Sequence, residues 1–221
     1  MLTATKQTLI LIVLTLCLQG NLFATEDEEK EWEDEAENHA LYGASLHFGQ
    51  SYAAGKSSPG VAYLLGIGGD FLINRGEWDR LELGFELGLG SLRFKEKGNS
   101  RSSVTVPVSF YGLAKIGMGY SIGDQLFAIW RLLAGPAWVG YERKLDGITE
   151  KSPDTMVSFL GGAEVEVVAP FTTDTDFFGG ASFKTMTINI DKLSGSGRTF
   201  ALDETFQLNI PTLRIGVRKA F

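Results

Sequence analysis

Four glutamates and four cations are the residues of this sequence with the most chemistry to offer. Glu82 and Glu86 stand four apart and Glu164 and Glu166 two apart, with Lys115, Arg131, Lys184 and Arg214 spread among and after them. Paired carboxylates do general acid–base work when their surroundings drive their pKa values apart. Matched by an equal number of cations, they do something plainer and hold one another as ion pairs. A second constellation is His47 with Ser45 two positions earlier, a base and a nucleophile on one face of a strand. The only other histidine, His39, lies in a strongly acidic stretch. No acid is assignable to His47 and Ser45, and no motif surrounds them, so His47 reads as a packed interior histidine. The single cysteine, Cys17, and the lack of a histidine cluster leave no metal-ligand set, and no cofactor is expected. Gly66, Gly68 and Gly69 lie inside a strand pattern and not in a phosphate loop.

The elements that must position these groups are strands. From Leu81 to Leu89 the sequence alternates strictly: Leu81, Leu83, Phe85, Leu87 and Leu89 on one face, Glu82, Gly84, Glu86 and Gly88 on the other. Two glutamates separated by glycine do not suit a sandwich core. They suit a closed membrane barrel, apolar outside and polar inside. The same alternation recurs over Tyr42–Gln50 and Val61–Asp70, placing His47 and Asp70 inward. Over the fourth stretch it puts Val104, Val106, Val108 and Phe110 outward, with Thr105, Ser109, Tyr111 and Lys115 inward. Pro107 removes a ladder donor there and predicts a local bulge. Arg131, then Glu164 and Glu166, then Lys184 face inward from the next three stretches, and the eighth ends the chain.

The fold expected is therefore all-β: an eight-stranded antiparallel up-and-down transmembrane β-barrel over residues 41–221. Short turns follow the second, fourth and sixth strands. Longer breaks lie on the other side, at Ser51–Gly60, Lys95–Ser103, Glu142–Asp154 and Asp191–Asp203. A soluble, lipocalin-like barrel would need the reverse polarity, with leucines and aromatics filling the interior of every strand.

The N-terminus reads as an export signal over residues 1–24: Lys6, the apolar run Thr8–Leu18, and a small residue at Ala24. A lipoprotein reading of Cys17 needs a small residue before it, and Leu16 is bulky. No later apolar run approaches the roughly 20 residues of a spanning helix. Residues 25–40 hold nine of the 27 acidic residues; setting these aside with Lys6 and Lys30 leaves 18 acidic and 18 basic residues from Leu41 onward. The net charge of −7 is thus local, and residues 25–40 are expected to be a disordered periplasmic tail. A neutral body with an apolar exterior excludes nucleic-acid binding.

The chain closes on Leu213, Ile215, Val217 and Phe221, apolar at alternate positions and ending in phenylalanine, with Lys219 where an aromatic is usual. This resembles the C-terminal strand of Gram-negative outer-membrane barrels, and the whole pattern is similar to small eight-stranded families such as the OmpA transmembrane domain, OmpX and OmpW. The resemblance implies the cell outer membrane, recognition by the barrel-assembly machinery, and contact with outer-membrane lipid and lipopolysaccharide. Centring each hairpin on its turn brings Glu82 opposite Lys115, Lys115 opposite Arg131, and Arg131 beside Glu164 and Glu166. The expectation is a lumen plugged by ion pairs in a non-enzymatic structural or surface-interaction protein, with a partner met through the long loops. Two alternatives stay open: a small passive channel, and a lipid A-modifying enzyme. Lys95, Lys97 and Arg101 form a basic loop that could meet lipopolysaccharide phosphates.

Overall fold

The computed structural model describes residues 39–55, 57–74, 79–97, 102–122, 126–195 and 198–220. The expected signal (1–24), the expected tail up to residue 38, Arg101 of the basic loop, and Phe221 lie outside the described residues. Eleven strands run through the rest: β1 His39–Gly49, β2 Tyr52–Ala53, β3 Ser57–Asn74, β4 Asp79–Glu96, β5 Ser102–Ser121, β6 Phe127–Val139, β7 Glu142–Leu145, β8 Ile148–Lys151, β9 Met156–Thr172, β10 Thr175–Gly195 and β11 Arg198–Ala220. Eight of them, β1, β3, β4, β5, β6, β9, β10 and β11, pair antiparallel with their neighbours. The C-terminal strand β11 returns to β1, with Leu46 opposite Ile215. The meander therefore closes into an eight-stranded antiparallel up-and-down barrel, and closure removes the free edges an open sheet would present.

Two sections of opposite polarity are stacked along the barrel axis. Toward the short turns the outer surface is apolar: Phe85, Leu89, Ile116, Leu132, Val165 and Ile215 are all about half exposed, while Glu82, Glu86, Arg131, Glu164 and Glu166 are buried inside. Greasy outside and charged inside is the arrangement of a barrel with lipid for solvent, and this section is transmembrane. Tyr42, Phe71, Tyr120, Phe171 and Phe177 face outward near the short-turn end. Of these, Phe171 and Phe177 pack edge to face, 4.9 Å between centroids, as an interfacial aromatic belt does.

Toward the long connections the polarity turns over. Leu64, Leu92, Val106, Leu133, Ile188 and Leu208 are buried within one apolar core inside the barrel, and Arg93, Lys95, Thr187, Asn189 and Gln207 are exposed on the wall. Strands β10 and β11, at 21 and 23 residues, are about twice the length needed to cross a bilayer. Their outer ends stand clear of it, in water, as a soluble barrel would.

This corrects the expected orientation of one strand. Val104, Val106 and Val108 are buried in the barrel and not directed at lipid, and Ser109 is exposed and not inward. The cause is a bulge at Ser109: the pairing of β5 shifts between Val108 and Phe110 against β6, and between Gly88 and Gly90 against β4. One extra residue reverses the parity on its two sides. The bulge falls two residues beyond Pro107.

Two expected loops are largely strand. Residues 142–154 contain the β7–β8 hairpin, turned at Asp146 and Gly147 with φ of 48° and 86°, the pair of positive values that a two-residue hairpin turn requires. Residues 191–203 continue β10 and β11, with an irregularity between Ile190 and Lys192 and Asp203 at a φ of 46°. Where β6 has ended, β7 takes its place beside β5 and β8 touches β10. The outer section is thereby walled by strands of its own.

Candidate functional site

The charged lumen is assembled from one face of seven strands. Its room comes from glycine. A Cβ on Gly117 would lie 2.5 Å from Cγ of Arg131, one on Gly180 2.7 Å from Cα of Glu166, and one on Gly66 2.9 Å from Cδ of Glu86. The inward positions alternate between an absent side chain and a long charged one, so that arms from opposite walls reach across the axis.

Arg131 is the hub. Its Nε donates to Glu82 Oε2 at 2.7 Å, one terminal nitrogen to Glu164 at 3.0 Å and the other to Glu166 at 2.7 Å. Arg214 donates to Glu164 and Glu166, both at 2.7 Å, and to Glu86 at 3.1 Å, and its guanidinium lies 4.6 Å above the Phe178 ring. Arg218 completes the layer toward the short-turn end, 3.0 Å from Asp176 and 3.7 Å from Glu82. Planar guanidinium groups with several donors suit this bridging of multiple carboxylates. Among the described residues the layer sets Asp70, Glu82, Glu86, Glu164 and Glu166 against Lys115, Arg131, Lys184, Arg214 and Arg218, with every cation under a tenth exposed.

Two of these, Asp70 and Arg218, fall outside the four-against-four set read from the sequence, although alternation turns both inward. Lys115 also departs from its expected partners. It stands opposite Gly84 and Leu133, and its ammonium meets Asp70 at 2.8 Å. Before the bulge β4 and β5 already pair one residue later than expected, with Phe94 opposite Val104, and the Ser109 bulge, between the β4–β5 turn and Lys115, adds one residue more, so Glu82 comes opposite Gly117. Beyond the bulge the hairpin geometry is regular, and Arg131 stands opposite Glu164.

Lys184 is different. It is fully buried, and its ammonium lies 3.1 Å from His47 Nδ1 and donates to Ser182 Oγ at 3.1 Å, with no described carboxylate within ion-pair distance. His47 Nε2 meets Ser45 Oγ at 3.1 Å and Glu86 Oε1 at 3.4 Å, while the Tyr111 hydroxyl donates to that same Glu86 oxygen at 2.9 Å. The acid that sequence could not assign to His47 and Ser45 is therefore Glu86. The order of contacts is wrong for nucleophilic catalysis: serine and glutamate compete for one imidazole nitrogen, and the other faces a lysine. A catalytic triad needs the serine and the acid on opposite nitrogens.

On β11, Leu213, Ile215 and Val217 face outward, opposite Phe48, Leu46 and Ala44 of β1; Phe221 lies outside the described residues. Lys219, where an aromatic is usual, forms an ion pair with Asp174 in the β9–β10 turn at 2.9 Å. No group of three histidines, cysteines or carboxylates placed to hold a metal occurs among the described residues.

No family model matches the chain, and no curated protein sequence matches it. Solved structures similar to it are outer-membrane proteins. Neisserial surface protein A is 14% identical over 83% of this chain and 97% of its own, with a TM-score of 0.44. The attachment invasion locus protein Ail of Yersinia pestis is 14% identical over 85% of this chain and 99% of its own, with a TM-score of 0.42. A major outer membrane protein of Thermus thermophilus is 12% identical over 82% of this chain and 99% of its own, with a TM-score of 0.44. The likeness is one of fold.

Proposed function

We propose that this chain is an outer-membrane barrel of structural and surface-presenting role, delivered by a cleaved N-terminal signal and carrying a lumen that does not conduct. One observation carries the reading: two unlike layers fill the barrel in series. The first is the ion-pair layer around Arg131 and Arg214, whose guanidinium and carboxylate groups pair with one another while Glu164 Oε2, Arg214 Nε and Arg218 Nη1 are left without a hydrogen-bond partner among the described residues. Above it lies an apolar core including Leu64, Leu133, Met186 and Ile210. Swapping partners in the charged layer would wet only half the path, because among the described residues the apolar core holds no buried charge to draw water through. This disfavours the channel reading. The enzyme reading would need His47 and Ser45 open to lipid, yet both are buried inside the wall.

The outward alternation of Leu213, Ile215 and Val217, ending at Phe221, is read as the signal to the barrel-assembly machinery. The β7–β8 and β10–β11 hairpins above the bilayer are the surface offered to partners. Planar-bilayer recording tests the sealed lumen. The expected trace is flat for the wild type, and steady conductance altered by Glu82→Gln or Arg131→Gln would overturn it. Outer-membrane fractionation with heat-modifiable gel migration tests the compartment, and an unchanged lipid A acyl pattern with and without the protein is expected by mass spectrometry.

A further inference from the structure

Most cations of the barrel have a carboxylate. Lys115, Arg131, Arg214 and Arg218 have theirs in the lumen, Arg143 pairs with Glu150, Lys151 with Glu142 and Lys219 with Asp174. Among the described residues, Arg93, Lys95, Lys97 and Lys144 have none within ion-pair distance, all four are exposed, and all lie on β4, the turn after it, or β7. Among the residues whose side chains are described, only exposed Lys192, on β10, shares that condition elsewhere.

The register brings three of them together. Arg93 is opposite Thr105 of β5, which is opposite Glu142 of β7. One row higher, Ser103 is opposite Lys144, and Lys95 flanks Ser103 from the other side because Phe94 is opposite Val104. Strands lie about 4.8 Å apart, so Lys95 and Lys144 are about 10 Å apart across a serine, with Arg93 about 7 Å below Lys95. Ser103 and Thr105 point the same way as the cations, since Val104 and Val106 on the other parity are buried. Of the carboxylates beside them, Glu142 is neutralised by Lys151 at 3.0 Å, and Asp146 is exposed in the β7–β8 turn beyond Lys144. Three cations interleaved with hydroxyl donors, held on paired strands and not on loops, form a surface for an anion bearing several phosphate oxygens.

Its height on the wall identifies the anion. Arg93 is opposite Val61 on β3, and the next row down pairs Tyr63 with Ser91. Val61, Tyr63 and Phe110 are exposed at the upper limit of the lipid-facing belt. The cations therefore begin where the apolar surface ends, on the side of the barrel, at the level of headgroups. A soluble polyanion would be met at the top of the outer section instead. We infer that this face binds the phosphates of lipopolysaccharide in the outer leaflet, through Arg93, Lys95 and Lys144 with Ser103 and Thr105 between them. The inference rests on the outer-membrane reading above.

The test reconstitutes the full chain in phosphatidylcholine vesicles with a trace of spin-labelled lipid A and measures, by electron paramagnetic resonance, the preference of the barrel wall for lipid A over the bulk lipid. Lipid A stripped of its phosphates, and the Arg93→Gln/Lys95→Gln/Lys144→Gln variant, are the two comparisons. Near an anionic surface each cation is worth about a fivefold factor, so the triple variant loses about a hundredfold of the preference. Lys192→Gln keeps it, and raised salt weakens it in the wild type. A preference unchanged by the triple substitution, or by removal of the phosphates, would overturn the site, as would competition by soluble heparin with no preference for lipid A. Heat-modifiable migration is recorded on the same vesicles. Its presence with unchanged preference refutes the lipid site alone, and its absence in the wild type refutes the membrane reading with it.

Discussion

Replacing Arg131 by methionine is the sharpest test of the charged layer. The side chain is 1% exposed and its guanidinium serves Glu82, Glu164 and Glu166 within 3.0 Å. Methionine retains much of the aliphatic stem and removes the charge. Glu164 and Glu166 still have Arg214 at 2.7 Å each. Glu82 does not fare so well, keeping only Arg218 at 3.7 Å. Stripping one partner from a buried ion pair costs about 3–5 kcal/mol, because it leaves a charge neither solvated nor paired. Most of that cost belongs to Glu82. It follows that Arg131→Met/Glu82→Gln, which withdraws the stranded charge, is more stable than Arg131→Met by about 0.5–3 kcal/mol, the range of coupling between residues in direct contact. Urea unfolding in detergent micelles, followed by tryptophan fluorescence and checked by heat-modifiable migration, measures both. A single substitution costing under about 1 kcal/mol, the worth of an exposed pair, would refute the reasoning. So would a double variant in which the two costs simply add.

The same titration applied to Lys184→Met should show a smaller loss than Arg131→Met, because Lys184 bonds His47 and Ser182 and has no carboxylate within ion-pair distance; an equal loss would mean that longer-range charge dominates. Gly117→Ala should cost about 1–3 kcal/mol as overpacking, its new carbon clashing with the Trp130 carbonyl oxygen and lying 2.5 Å from Cγ of Arg131, and a neutral result would show that the β5 and β6 backbones can part there. In the exposed β9–β10 turn, Asp174 is held at about 2, first by its bond from Lys219, then by Thr172 and Thr175. A lowered folded-state pKa favours folding above the unfolded carboxylate range and loses that contribution as pH falls toward about 2. Carboxyl carbon chemical shifts should titrate there and move upward in Lys219→Met. Spin labels at Val106→Cys and Val165→Cys should separate the two sections: position 165 reachable by oxygen dissolved in lipid, position 106 shielded from oxygen and from a water-soluble quencher, and lipid access at 106 would undo the polarity reversal.

What could be read from the sequence and what could not divide along a physical line. Lipid sets a one-sided demand on the membrane section, so Leu83, Phe85, Val165 and Ile215 announce their direction by type and spacing alone. The inward direction of Glu82, Arg131, Glu164 and Lys184 follows from the same parity, and centring a hairpin carries it across two of the longer connections, putting Arg131 opposite Glu164 and Arg218 opposite Asp176, as the strands pair. Across the short β5–β6 turn the same exercise misses, and Arg131 stands opposite Gly117 and not Lys115. Two things escape this reasoning. A bulge such as that at Ser109 leaves no signature beyond a nearby proline, yet it turns Val104, Val106 and Val108 through the wall and adds to the register shift that takes Lys115 from Glu82 to Asp70. The change of solvent partway up the barrel is harder still, because nothing in a run of alternating residues says which medium the aliphatic face prefers. Ile188 and Ile190 share a parity with Lys184 on β10, and that juxtaposition of a lumen charge with buried aliphatics on one face was the available clue. A strand whose inward set passes from lysine to isoleucine without a parity break has left the bilayer, and the length of β11 says the same.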